Sequence, residues 1–70
     1  MTREEKIAWL RDLPDETISP TQMAMICGGK AYSYNLAAKE GRLDQKLIPH
    51  FFRGRNLRII KEPVIRLLGG

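Results

Sequence analysis

Seventy residues, 43% apolar and 29% charged, are enough for one small domain and too few for two, and the composition excludes a disordered tail. Charge is unevenly laid out: Arg3, Lys6 and Arg11 meet five carboxylates in residues 1–16, a net −2, whereas nine Lys and Arg meet three carboxylates in residues 17–70, a net +6. A basic body of this kind favours a polyanionic partner, and no apolar run approaches the length of a membrane span.

Taken in chain order, the stretch "MTREEKIAWLRDLPDET" carries Thr2 and Glu5 at capping-box spacing, and Pro14 closes it. This predicts a short amphipathic helix within residues 1–16, set apart by "LPDET". A second helix follows, with Ser19 as N-cap, Pro20 at its first position, Met23, Ala24, Ile26 and Cys27 on its apolar side, and Gly28-Gly29 as the stop. The lone Cys27 excludes an internal disulfide, fits a reducing compartment, and is expected in the core. "KAYSYNLAAKEG" predicts a third helix ended by Gly41, and "RLDQKLIP" a loop anchored by Leu43, Leu47 and Ile48. "HFFRGRNLRII" predicts a hairpin whose Gly54-Arg55 turn fits type II′, where Gly comes first. It would pair Phe52 with Leu57 and His50 with Ile59 on one face, leaving Phe51, Arg53 and Arg58 on the other. "EPVIRLLGG" offers Pro63, Val64, Ile65, Leu67 and Leu68 as a last helical turn or two over the core. The sum is mainly α with a small β-hairpin: a winged helix-turn-helix over residues 17–70 with an extra N-terminal helix, all in one compact domain.

On a helical wheel, Ala31, Tyr34, Ala37, Ala38 and Gly41 of the third helix gather on one side, and Tyr32, Ser33, Asn35, Leu36 and Lys39 point away or lie at the edge. That outward set suits a recognition helix. Tyr and Ser bond phosphates, Asn pairs bidentately with adenine, and an apolar side chain meets a thymine methyl. Incidental exposure would account for Tyr32 and Leu36 as well. The hairpin decides between the two. Edge protection is served by either sign of charge, yet Arg53, Arg55 and Arg58 are all positive, as a grip on phosphates requires.

The stretches "TISPTQMAMICGGKAYSYNLAAKEGRL" and "FFRGRNLRIIKEPVIRLLG" resemble the excisionase and MerR-like winged-helix group of small bacterial and phage DNA-binding proteins. Ala24, Gly28, Glu40-Gly41-Arg42-Leu43 and Arg58-Ile59 stand at matching places, over residues 17–69. The chain departs from that pattern at Gly29-Lys30-Ala31 and at Leu36. The resemblance implies DNA contact by Lys30, Tyr32, Ser33, Asn35, Leu36 and Lys39 on the third helix and by Arg53, Arg55 and Asn56 on the hairpin. Ser19 and Thr21, at a helix N-terminus, are expected to hold a phosphate.

Double-stranded DNA is therefore the expected partner, with a recombinase or a second copy of the chain as protein partners. An excisionase-like architectural factor and a small transcription regulator use the same module. The long dimerisation helix and effector domain of MerR-type activators have no counterpart in these residues, which favours the stand-alone roles. The reading from another class is a protein-interaction adaptor docking through Trp9 and the acidic first helix. RNA binding is not expected, for want of an aromatic sheet platform. One His, one Cys and no clustered carboxylates predict no catalytic residues, no metal, no cofactor and no small-molecule ligand; His50 reads as structural. No signal-peptide pattern opens the chain, so a cytoplasmic location is expected.

Overall fold

Local sequence signals fix where the first two helices start. The computed structural model describes residues 1–70. Helix α1 (Arg3–Asp12) is opened by the Thr2 side chain, which accepts the Glu5 N–H, while the Glu5 carboxylate accepts the Thr2 N–H. A strand β1 (Thr17–Ile18) follows, then α2 (Pro20–Cys27), capped by the same reciprocal pair of bonds between Ser19 and Gln22. Gly28 and Gly29, at φ +83° and +85°, take the left-handed turn that ends α2 and leads into α3 (Ala31–Lys39). Strands β2 (His50–Arg53) and β3 (Asn56–Ile60) form the hairpin, and α4 (Lys61–Leu67) begins directly after β3.

The register matches the sequence reading: His50 opposes Ile59, Phe51 opposes Arg58, Phe52 opposes Leu57 and Arg53 opposes Asn56. A positive φ at Gly54 and none at Arg55 agrees with a type II′ turn. The hairpin is not alone, however. β1 pairs antiparallel with the end of β3 farthest from the hairpin turn, Thr17 opposite Ile60 and Ile18 opposite Ile59, giving a three-stranded sheet of order β1-β3-β2. Four helices and this sheet make a mixed α/β fold rather than a mainly α one with an isolated hairpin. β1 escapes a sequence reading because it is two residues long and runs straight into the Ser19-Pro20 start of α2.

One core joins the elements: Leu10 from α1, Ile18 from β1, Met23 and Ile26 from α2, Leu57 and Ile59 from β3, Val64 and Ile65 from α4. Burying each such side chain stabilises the fold by roughly 1.5–3 kcal/mol. The first helix is thus part of the domain. Ile7, Trp9 and Leu13 pack beside Leu10, and the Lys61 ammonium donates to the Leu13 carbonyl (2.8 Å) while the Lys61 N–H donates to Glu16 (2.9 Å). Helix α3 contributes no fully buried residue; Tyr34 and Ala38 hold it, half-buried, against the core.

Three expectations fail at the margins of this small core. Cys27 is exposed, because α2 outruns the core at its last residue and the thiol lies against Met23 Sδ (4.0 Å). Partial burial still pushes that thiol's pKa up. Leu47 and Leu67 are also exposed, so Leu43 and Ile48 anchor the loop, and Val64, Ile65 and Leu68 carry the inward face of α4. No helix is long and apolar enough to cross a membrane.

Candidate nucleic-acid interface

β1 covers only Ile59 and Ile60 of β3, so the hairpin projects beyond the core with Asn56–Arg58 uncovered on that edge. The N-terminus of α2 lies beside this edge. Between them opens a cleft of about 530 Å³, lined by Asp15, Ser19, Pro20 and Thr21 on one wall, Arg53, Arg55, Asn56, Leu57 and Arg58 on the other, and Asn35 of α3. Seven of the twelve residues singled out in the sequence therefore meet at one opening: Ser19, Thr21, Asn35, Arg53, Arg55, Asn56 and Arg58. Two of the three arginines are unpaired there; the molecule's ion pairs are Arg58–Asp15 and Arg42–Glu40.

Arg58 differs from its neighbours. Its Nε donates to Thr17 Oγ1 (2.9 Å), and its Nη2 donates to the Thr17 carbonyl (3.2 Å) and to Asp15 Oδ2 (3.3 Å). Thr17, in turn, donates its N–H (3.1 Å) and its hydroxyl (3.2 Å) to Asp15 Oδ1. The Asp15 carboxyl is held below the ordinary aspartate value, first by the Thr17 N–H, then by the Thr17 hydroxyl, with Arg58 and Arg53 adding to it against some desolvation. Arg58 thus ties β3 to β1 at the cleft wall, whereas Arg53 and Arg55 point free charge outward. The Arg53 guanidinium lies 5.9 Å from the centre of the Phe51 ring on the same face.

On α3 the outward set divides. Tyr32, 72% accessible, and Ser33 and Lys39 are exposed; Asn35 is half-buried, and its Nδ2 donates to the Ala31 carbonyl (3.2 Å). That bond uses one amide N–H and leaves the carbonyl oxygen of Asn35 to face a ligand. Leu36, expected outward, is half-buried, and Lys30 is exposed at the N-cap with no capping bond of its own. Tyr34, on the inward side as expected, donates its hydroxyl to the Gly28 carbonyl (2.7 Å), locking the turn between α2 and α3. Desolvation raises that phenol's pKa. Ser19 spends its hydroxyl on the Gln22 N–H, so of the two residues at the start of α2, Thr21 is the exposed one.

The sequence reading passed over Phe52. It opposes the buried Leu57, yet it is 40% accessible, because the core stops short of the outer half of the hairpin. Its neighbours in a second hollow are Lys39, Gly54 and Arg55. Strand alternation turns only Phe51 away from the core, so the exposure of Phe52, which depends on how far the core extends beneath the hairpin, had no local signal. No group of three or more His, Cys, Asp or Glu side chains is placed to hold a metal ion. Set against models of known families, characterised proteins and solved structures, the chain matches none.

Proposed function

We propose that this chain is a winged helix-turn-helix protein that binds double-stranded DNA, acting without catalysis as an excisionase-like architectural factor or a small transcription regulator of a mobile element. On this reading α2, the Gly28-Gly29 turn and α3 are the helix-turn-helix, and the β2–β3 hairpin is the wing. The observation that carries it is the cleft where Asn35, the exposed start of α2, and the unpaired Arg53 and Arg55 converge. α3 enters the major groove, where Asn35 and Ser33 meet base edges and Lys30, Tyr32 and Lys39 reach phosphates. The wing lies on the backbone or in the minor groove, with Arg53 and Arg55 as its cationic contacts and Asn56 beside them. Arg58 positions the wing from behind. Docking through the first helix is the weaker reading, since Trp9, its apolar anchor, is half-buried against the core.

Binding to a random-sequence duplex across a salt series tests this, with the wild type beside Arg53→Ala/Arg55→Ala. The wild type is expected to weaken steeply with salt, and the double variant to show a log–log slope shallower by about two, one per lost phosphate contact. Absence of binding by the wild type at low salt would sink the proposal.

A further inference from the structure

The hollow between the end of α3 and the hairpin holds an open aromatic ring that the groove-reading role leaves unexplained. Phe52 lies on the core-facing side of the sheet, opposite a Leu57 that is 1% accessible, yet its own ring is left open. Around it stand Lys39 from α3 and Gly54 and Arg55 from the turn, enclosing about 540 Å³, within the size range of roughly 300–1,000 Å³ usual for ligand hollows. Neither cation is paired: the molecule's two ion pairs are Arg42–Glu40 and Arg58–Asp15. The ring itself is unoccupied, since the single cation over an aromatic face is Arg53 on Phe51, on the opposite face of the same strand. Gly54 has no Cβ to narrow the mouth, and a Cβ built there would meet nothing within 4 Å. An open aromatic face between two unpaired cations, with no carboxylate in the wall, suits a planar group that carries an anion. A nucleotide is such a group: its base stacks on the ring and its phosphate lies between the cations.

We propose that this hollow holds one unpaired nucleotide of the bound DNA, the base stacked on Phe52 and the phosphate between Lys39 and Arg55. The inference rests on the DNA-binding reading above and adds to it a preference for distorted duplex. Because Arg55 borders both the cleft and the hollow, a strand leaving the first is led into the second. A protein built this way favours sites where a base is already extruded, since the cost of unstacking is then small.

The test compares three duplexes of equal length: fully paired, carrying one bulged thymidine, and carrying one bulged abasic residue. The two bulges have the same charge and similar flexibility and differ in the base alone. The wild type is expected to bind the thymidine bulge about tenfold more tightly than the abasic bulge, as one base–aromatic stack allows. Phe52→Leu, which keeps the apolar bulk on the hairpin, is expected to bind the two bulges equally while holding the fully paired duplex as before. Equal binding of both bulges by the wild type, with the paired duplex still bound, would overturn this inference and leave the DNA-binding reading standing. Failure to bind any of the three would overturn both.

Discussion

Two arginines three positions apart illustrate how burial of the partner, rather than charge, sets a residue's role. Arg55 is exposed at the turn with no acceptor within the molecule; Arg58, with a side chain 21% accessible, has three. Arg58→Met is therefore expected to lower the unfolding free energy by about 2 kcal/mol, because the buried Thr17 loses a charged donor. It should change the salt slope of the proposed DNA binding little. Arg55→Ala should do the reverse, lowering the slope by about one at unchanged stability. Urea unfolding and a salt titration on both variants separate the two roles. The same cluster carries a pH signature. The folded Asp15 carboxyl titrates below its unfolded value, so the stability it adds is present above the unfolded value and lost as pH falls through the folded one. Melting temperature should drop on acidification below about pH 4, and Asp15→Asn should make that drop shallower. The drop will not vanish, because Glu5 is depressed in the same direction by its Thr2 cap.

At the scale of elements, α3 is the least anchored helix, with no fully buried residue and with Asn35 at the cleft. Its seating depends on Tyr34, whose hydroxyl bonds Gly28 and whose ring lies 3.7 Å from a Cβ built on Gly29. Tyr34→Phe should cost about 1 kcal/mol of stability. That bond ties α3 to the turn that ends α2, so under the proposed DNA binding, discrimination between a preferred and a random duplex should fall further than the salt slope, which counts phosphates only. A larger loss of slope than of discrimination would show that the bond does not orient α3. What could be read from the sequence follows the same physics. The hairpin register was legible because two-fold alternation and a two-residue glycine turn leave one pairing. The caps of α1 and α2 were legible because Thr-x-x-Glu and Ser-x-x-Gln act within four residues. Cys27, Leu47, Phe52 and Leu67 were misjudged for a shared reason. Periodicity gives the direction of a side chain but not how far the core extends beneath it, and here the core ends before these residues do. The bond from Arg58 to Thr17 spans 41 positions, beyond any local pattern.

The whole molecule has one core, and α1 shares it with the sheet that carries the hairpin. Leu10 is fully buried beside elements on both sides of the chain, so stability of the site and packing of the first helix are one cooperative property. A chain of 70 residues has a total stability of roughly 3.5–10 kcal/mol, and truncating a buried leucine removes about 2–5 of it. Leu10→Ala should therefore leave a substantial unfolded fraction at moderate temperature, although the residue is on a different helix from every candidate contact. Mass action gives the second half of the prediction. DNA that binds only the folded chain, present at a hundredfold excess over its dissociation constant, returns about 2.7 kcal/mol. The melting temperature of Leu10→Ala should rise on adding duplex at low salt, and the rise should shrink as salt weakens the complex. Adding Arg53→Ala and Arg55→Ala to the same chain should reduce the rescue at equal DNA concentration. A Leu10→Ala chain that unfolds in two steps, with the hairpin and α3 persisting through the first, would instead make α1 an appendage, and the acidic helix would then be free to act apart from the basic body.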